Sequence, residues 1–217
     1  AVILVTVAGL LSVHPLRDAW RSGRDDGLAG SVCFVATLAF APRVEIGILA
    51  GLLLSLALLI YRSMKPRVAV LGRHPDGTWR DAERFGLAPA HPQLSILRFD
   101  GPLHFVNAAT FEDAVLTTFR NHPQTRSLLL SCAGINAIDA SGIDALRRIN
   151  RQLEADGRLL ACCGLKKQVI DVMERTGLWS HLVPHASYRT EDDALQQLLP
   201  LLGGTGTAPP VRRGLEW

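Results

Sequence analysis

The chain has 217 residues, a formal net charge of +3 from 23 Lys and Arg against 20 Asp and Glu, and a mean hydropathy of +0.19, between soluble and membrane values. So small a charge, on scattered basic residues with no accompanying aromatic stripe, argues against nucleic acid as a partner. The four cysteines (Cys33, Cys132, Cys162, Cys163) lie in apolar surroundings without metal-type or disulfide-framework spacing, which predicts reduced, buried thiols in a cytosolic compartment.

The average hides two unlike halves. Between Leu28 and Tyr61 the only charges are Arg43 and Glu45, whereas from Arg62 onward charges recur every few positions, as in an ordinary globular domain. Ala1 to Val13 is apolar but too short to cross a bilayer core of about 30 Å by itself. It has neither an initiator Met nor the basic n-region of a signal peptide, so the expectation is the C-terminal piece of a longer protein whose upstream helices are missing. His14 to Asp26 follows with Arg17, Arg21 and Arg24 around Trp20, the composition of a membrane surface.

Gly27 to Ala41 and Val44 to Tyr61 are two apolar runs divided by Pro42 and Arg43. Proline removes a backbone donor and restricts the residue before it, so a break at Ala41–Pro42 is expected, giving a hairpin of two short helices over about 27–61. Both ends of the hairpin are basic, with Arg62, Lys65 and Arg67 marking the exit from lipid, and the positive-inside rule assigns both to the cytoplasmic face. Arg43 and Glu45 at the far turn read as an interfacial turn in preference to an ion pathway.

The second half alternates strand and helix signals. Strands are predicted at Val68–Gly72, Leu94–Phe99, Leu103–Val106, Arg126–Cys132 and Arg158–Cys163, with Pro75-Asp76-Gly77 as a turn. Helices are predicted from an Asn107 cap to Arg120, from Ser141 to a glycine stop at Gly157, over Lys166–Arg175, and from a Thr190 cap over Glu191–Leu202. Cys162 and Cys163 would point to opposite faces of their strand. The result is one mixed sheet with helices packed against it, followed by a flexible tail at 203–217.

Ile138-Asp139-Ala140-Ser141-Gly142 joins a buried strand to a helix and offers free amides, a hydroxyl and a glycine at the helix N-terminus. Asp139, Ser141 and Gly142 therefore form a turn that could hold an anion or a partner, with Ser141 as a phosphoacceptor; the plainer reading is capping by Asp139 or Ser141. Enzyme signatures fail. Four of the seven histidines (His14, His74, His91, His122) precede prolines, neither HExxH nor a Cys/His cluster occurs, and Ser141 lacks the glycine of a nucleophile elbow.

The hairpin ending in VEIGILAGLLLSLALLIYRSMKPRVAVLGR, then PLHFVNAATFED, then AIDASGIDAL resemble, in this order, the last transmembrane helices and the STAS domain of the SulP sulfate permease family, over residues 1 to about 200. The resemblance implies a secondary transporter for inorganic or small organic anions, in the inner (plasma) membrane, with a cytoplasmic regulatory STAS domain. It further implies a homodimer, a cytoplasmic regulatory protein at the STAS domain, and a substrate site in upstream segments outside this chain. STAS domains also occur in anti-sigma factor antagonists phosphorylated on a serine at the position that Ser141 matches, although Ala140 replaces the second hydroxyl often found beside it. The expected architecture is a membrane helical segment (1–65) and an α/β STAS-like domain (66–202), with no enzymatic activity, cofactor or metal. The alternative is a membrane-tethered STAS signalling module in which Ser141 is a phospho-switch.

Overall fold

The computed structural model describes residues 14–40, 43–182 and 188–203, which fall into two compact units divided after Arg62. The apolar segment Ala1–Val13, the expected break at Ala41–Pro42 and the tail beyond Gly203 lie outside the described residues.

In the first unit, α1 (His14–Ser22) and α2 (Arg24–Ala39) are separated only by Gly23. The segment expected to lie at a membrane surface is thus largely helical. It is pinned by Trp20, which covers Gly27 so closely that a Cβ there would stand 2.6 Å from the indole Cγ. The indole Nε1 also donates to Ser31 Oγ at 3.1 Å. Helix α2 begins three residues before the predicted apolar run, because Asp25 and Asp26 suit the positive end of a helix dipole.

Helix α3 (Val44–Met64) continues past the predicted end at Tyr61 and, with 21 residues, is about 31 Å long. Among the described residues, Glu45–Met64 is the one helix long and apolar enough to cross a membrane. Helices α2 and α3 pack through small residues: Gly47 lies against Thr37, and a Cβ on Gly51 would stand 2.6 Å from Cys33 Cβ. Two glycines four apart are what allow such approach where lipid gives no hydrophobic drive to association. Arg62 bonds back to Asp25 at 2.8 Å and approaches Asp26 at 3.5 Å.

The second unit is a five-stranded sheet in the order β2-β1-β3-β4-β5. It comprises β1 (Arg67–Arg73), β2 (Trp79–Asp81), β3 (Leu94–Asp100), β4 (Ser127–Ser131) and β5 (Leu159–Cys163). Strand β1 runs antiparallel to β2 and β3, while β3, β4 and β5 are parallel and joined through α5 (Ala108–Asn121) and α6 (Ala140–Ala155). The remaining helices are α4 (Ala82–Phe85), α7 (Lys167–Arg175), α8 (Leu178–Leu182) and α9 (Glu191–Gly203).

Strand alternation sorts the core into two faces. On one, Leu97, Phe99, Leu128, Leu130, Leu160 and Cys162 meet α5 to α8; on the other, Leu94, Ile96, Leu129, Ala161 and Cys163 meet α9. The adjacent cysteines do part to opposite faces. Phe99 and Phe111 lock α5 to the sheet edge-to-face, with ring centroids 5.6 Å apart. Burial on both faces explains why β4 reads as an unbroken apolar run.

Two predictions need correction. Leu103–Val106 is not a strand: Leu103 makes an isolated bridge to Ile138, and the next two amides go to side chains, His104 N–H to Asn107 Oδ1 and Phe105 N–H to Asp139 Oδ2. Asn107 stands at the N-cap of α5 but makes no capping bond, its side chain being turned elsewhere. Short β2 and α4 were hidden in the turn-rich stretch after β1, and α9 extends one residue into the expected tail.

Candidate functional site

The turn entering α6 is built from one carboxylate. Asp139 Oδ1 accepts the Gly142 amide at 2.8 Å and Oδ2 accepts the Phe105 amide at 2.9 Å, with His104 Nδ1 at 3.8 Å from the same oxygen. Burial alone would raise the pKa of this carboxyl, but the amides of Gly142 and Phe105, the nearby His104 and the Ser141 amide hold it below the usual carboxylate value. Asp139 is therefore the helix cap, as the plainer reading anticipated. Gly142 is required by approach: a Cβ there would stand 2.5 Å from the Leu103 carbonyl oxygen and 2.8 Å from Ile138 Cγ1.

Ser141 is half-buried in the first turn of α6, and its hydroxyl has no hydrogen-bond partner among the described residues. Phe105, tied to Asp139 through its amide, is 73% exposed. A hydroxyl, a helix N-terminus and an uncovered aromatic thus stand at one corner of the sheet. From the other side of the loop, Lys166 Nζ and Gln168 Nε2 bond to Asn136 Oδ1 and its carbonyl, fixing the approach to Asp139.

The same corner connects to the start of the unit. Asn107, 3% exposed, accepts the His104 amide at 2.9 Å and donates to the Pro102 carbonyl at 2.9 Å and the Ser63 carbonyl at 3.2 Å. Thr110 Oγ1 donates to the Met64 carbonyl at 3.0 Å. Ser63 and Met64 are the first residues of the second unit and the last of α3, so these side chains satisfy carbonyls that a helix C-terminus leaves open. Sequence reasoning saw Asn107 as a cap of α5 and missed Thr110 and Phe105; only the PLHFVNAATFED resemblance marked the region.

Of the three junction cations, Arg62 pairs with Asp25 and Asp26, and Arg67 pairs with Asp81 at 3.1 Å. Lys65 lies between them in the two-residue connection from α3 to β1. Among the described residues there is no grouping of three or more His, Cys, Asp or Glu able to hold a metal ion. The buried thiols are held protonated: Cys132 by its contact with Cys162 and by burial, Cys163 by burial and the Glu191 carboxylate.

A five-stranded mixed sheet with the helix-capping turn after a buried parallel strand defines the STAS class, and residues 87–194 match the STAS domain family. The chain carries a STAS domain and is homologous to the C-terminal region of the sulfate transporters of the SulP/SLC26 type.

It is 28% identical over 189 residues to Probable sulfate transporter 4.2 of Arabidopsis thaliana, covering 82% of this chain and 28% of the relative. To human solute carrier family 26 member 6 it is 29% identical over 117 residues, covering 53% of this chain and 15% of the relative. The murine Slc26a9 anion transporter, in its inward-facing state, superposes with a TM-score of 0.72 at 19% identity, over 85% of this chain and 30% of that one, a likeness of fold. The chain thus spans less than a third of the length of these relatives.

Proposed function

We propose that this chain is the C-terminal part of a secondary active transporter for sulfate-like inorganic anions, with residues 66–202 as its regulatory domain. The observation that carries the reading is continuity: a similarity covering 82% of the chain cannot be accommodated without taking in both α3 and the sheet, in the same order as in a plant sulfate transporter. On this reading α2 and α3 are the last membrane hairpin, and the STAS domain faces the cytoplasm of an inner or plasma membrane. Two copies assemble as a dimer with the upstream helices that hold the substrate site. The chain's own contribution is regulatory and not enzymatic.

The test is uptake of labelled sulfate by cells lacking their own sulfate uptake, expressing the full reading frame that contains this chain, against a truncation after Pro66. Uptake that depends on the reading frame supports the proposal; absence of uptake for sulfate, other oxyanions and bicarbonate alike rejects it.

The unpartnered Ser141 hydroxyl favours a second element of the same reading, a phosphoacceptor that alters the turn or the partner docking beside it. A dianion there would meet the N-terminus of α6 favourably and the Asp139 carboxylate unfavourably, so phosphorylation would weaken the Asp139 bonds to Gly142 and Phe105. Incubation with cognate kinases and phosphosite mapping by mass spectrometry tests it, and consistent absence of phosphate at Ser141 removes this element without touching transport.

A further inference from the structure

The end of the sheet opposite the Asp139 turn carries a feature that neither transport nor the turn accounts for. Strands β3, β4 and β5 begin in register, with Leu94 opposite Ser127 and Ser127 opposite Leu159. One residue earlier, Gln93, Arg126 and Arg158 therefore form a row across three neighbouring strands, held by bonds from the Arg126 amide to the Gln93 carbonyl and from the Leu159 amide to the Arg126 carbonyl, both at 2.9 Å.

Alternation points the row to the α5 face: Leu128, Leu130, Leu160 and Cys162 lie on that face, and Arg158 stacks 4.5 Å above the Phe119 ring. Arg126 and Arg158 are thus like charges on adjacent parallel strands, about 4.8 Å apart at the backbone. Such a pair is normally relieved by an interleaved carboxylate. Among the described residues neither guanidinium has a carboxylate partner, and the side-chain amides of Gln93 and Gln124 are equally unpartnered.

All four side chains line one open cavity of about 800 Å³, together with His91 and Thr125. Asp156 lines it too but forms no ion pair with either arginine, which leaves the guanidinium side as the electropositive one. Two guanidinium groups carried at paired backbone positions, neither ion-paired, with neutral amide donors beside them, are an arrangement that a tetrahedral dianion satisfies through forked, charge-assisted bonds.

We infer that the cavity bounded by Gln93, Gln124, Arg126 and Arg158 is a binding site for a small tetrahedral oxyanion of the sulfate or phosphate type, separate from the Asp139 turn. The inference stands whether or not the full protein transports anions. If it does, the site would let the regulatory domain respond to the level of such an anion on its own side of the membrane.

The experiment is thermal unfolding and calorimetry of the whole chain in detergent at constant ionic strength. Sodium sulfate, sodium phosphate and a phosphate monoester such as glucose 6-phosphate are titrated against a sodium chloride control. Binding saturates in the calorimetric titration and raises the midpoint with the logarithm of anion concentration, by about 5 °C at a hundredfold excess over Kd. Arg126→Gln weakens binding by about tenfold or more while leaving the anion-free midpoint unchanged or higher, because a like-charge pair has been relieved. Arg158→Gln, which also loses the Phe119 stack, serves as the second variant.

Tighter binding of the monoester than of inorganic anions supports the site and assigns it to the terminal group of a larger molecule. A response to sulfate and phosphate no greater than to chloride overturns the inference. So does an Arg126→Gln variant that binds like the parent.

Discussion

Replacing Asp139 by alanine removes both carboxylate oxygens from the turn that opens α6. The Gly142 amide at 2.8 Å and the Phe105 amide at 2.9 Å each lose their acceptor. Loss of a helix cap costs about 1 kcal/mol, and the second amide bond, made to a charged group, contributes about as much or somewhat more. The sum is about 2–3 kcal/mol, or a fall in melting midpoint of about 4–9 °C for a chain of this size.

Asp139→Asn keeps one carbonyl oxygen and presents an NH2 group to the other amide, so about half the loss is expected. Circular dichroism melts of the two variants, with hydrogen exchange followed at residues 105 and 142, measure the difference. Equal losses for Asn and Ala, or a Phe105 amide still protected in the Ala variant, would refute this account of the turn.

The same carboxylate sets a pH dependence. Its folded-state pKa lies below the unfolded value, so its contribution is fully present above the unfolded value near 3.8 and is lost as pH falls through the folded one. Asp139→Asn removes that part of the acid dependence and leaves stability at neutral pH lowered.

Asn107→Ala leaves the part-buried His104 amide without its acceptor and removes the donor that Asn107 gives to the Ser63 and Pro102 carbonyls, at a cost of about 2–3 kcal/mol; faster exchange of the His104 amide distinguishes this from simple loss of helix content. Gly51→Leu cannot be accommodated against Cys33, 2.6 Å from the added Cβ, so the α2–α3 contact opens and Cys33 reacts faster with maleimide in detergent. Cys132, Cys162 and Cys163 are buried, with the first and last held as thiols, so their alkylation near pH 8 should proceed only at the rate of unfolding, measured by adding urea in steps. Phe111→Ala removes a fully buried ring and its contact with Phe99, lowering stability by about 3–5 kcal/mol in a denaturant titration.

The long elements were legible because their signals are local. Helix α3 shows itself by composition, β4 by an apolar run, α5 and α6 by apolar residues at helical spacing, and the stop of α6 by Gly157, whose φ of 67° is left-handed. Strand β2 was not legible, since three residues of mixed polarity acquire strand geometry only from pairing with β1. Leu103–Val106 misled for the opposite reason. Its composition suits a strand, but its amides are taken by side chains 3 and 34 residues away, and no periodicity reports that.

The candidate site divides along the same line. Asp139, Ser141 and Gly142 are contiguous, so their turn could be found in sequence; what makes it more than a cap is not contiguous with it. Phe105 and His104 reach Asp139 across a loop, and Asn107 links that loop to the carbonyl of Ser63, 44 residues earlier. A perturbation at Ser141 that loosens Asp139 would release the Phe105 amide next to His104, whose own amide depends on Asn107. The path from the turn to Ser63 thus consists of four side-chain hydrogen bonds, two made by Asp139 and two by Asn107, which makes it testable by double-mutant cycles between those two residues. Coupling well above about 0.5 kcal/mol would mean the two residues act as one unit, and strict additivity would mean that the turn and the first residues of the domain respond independently.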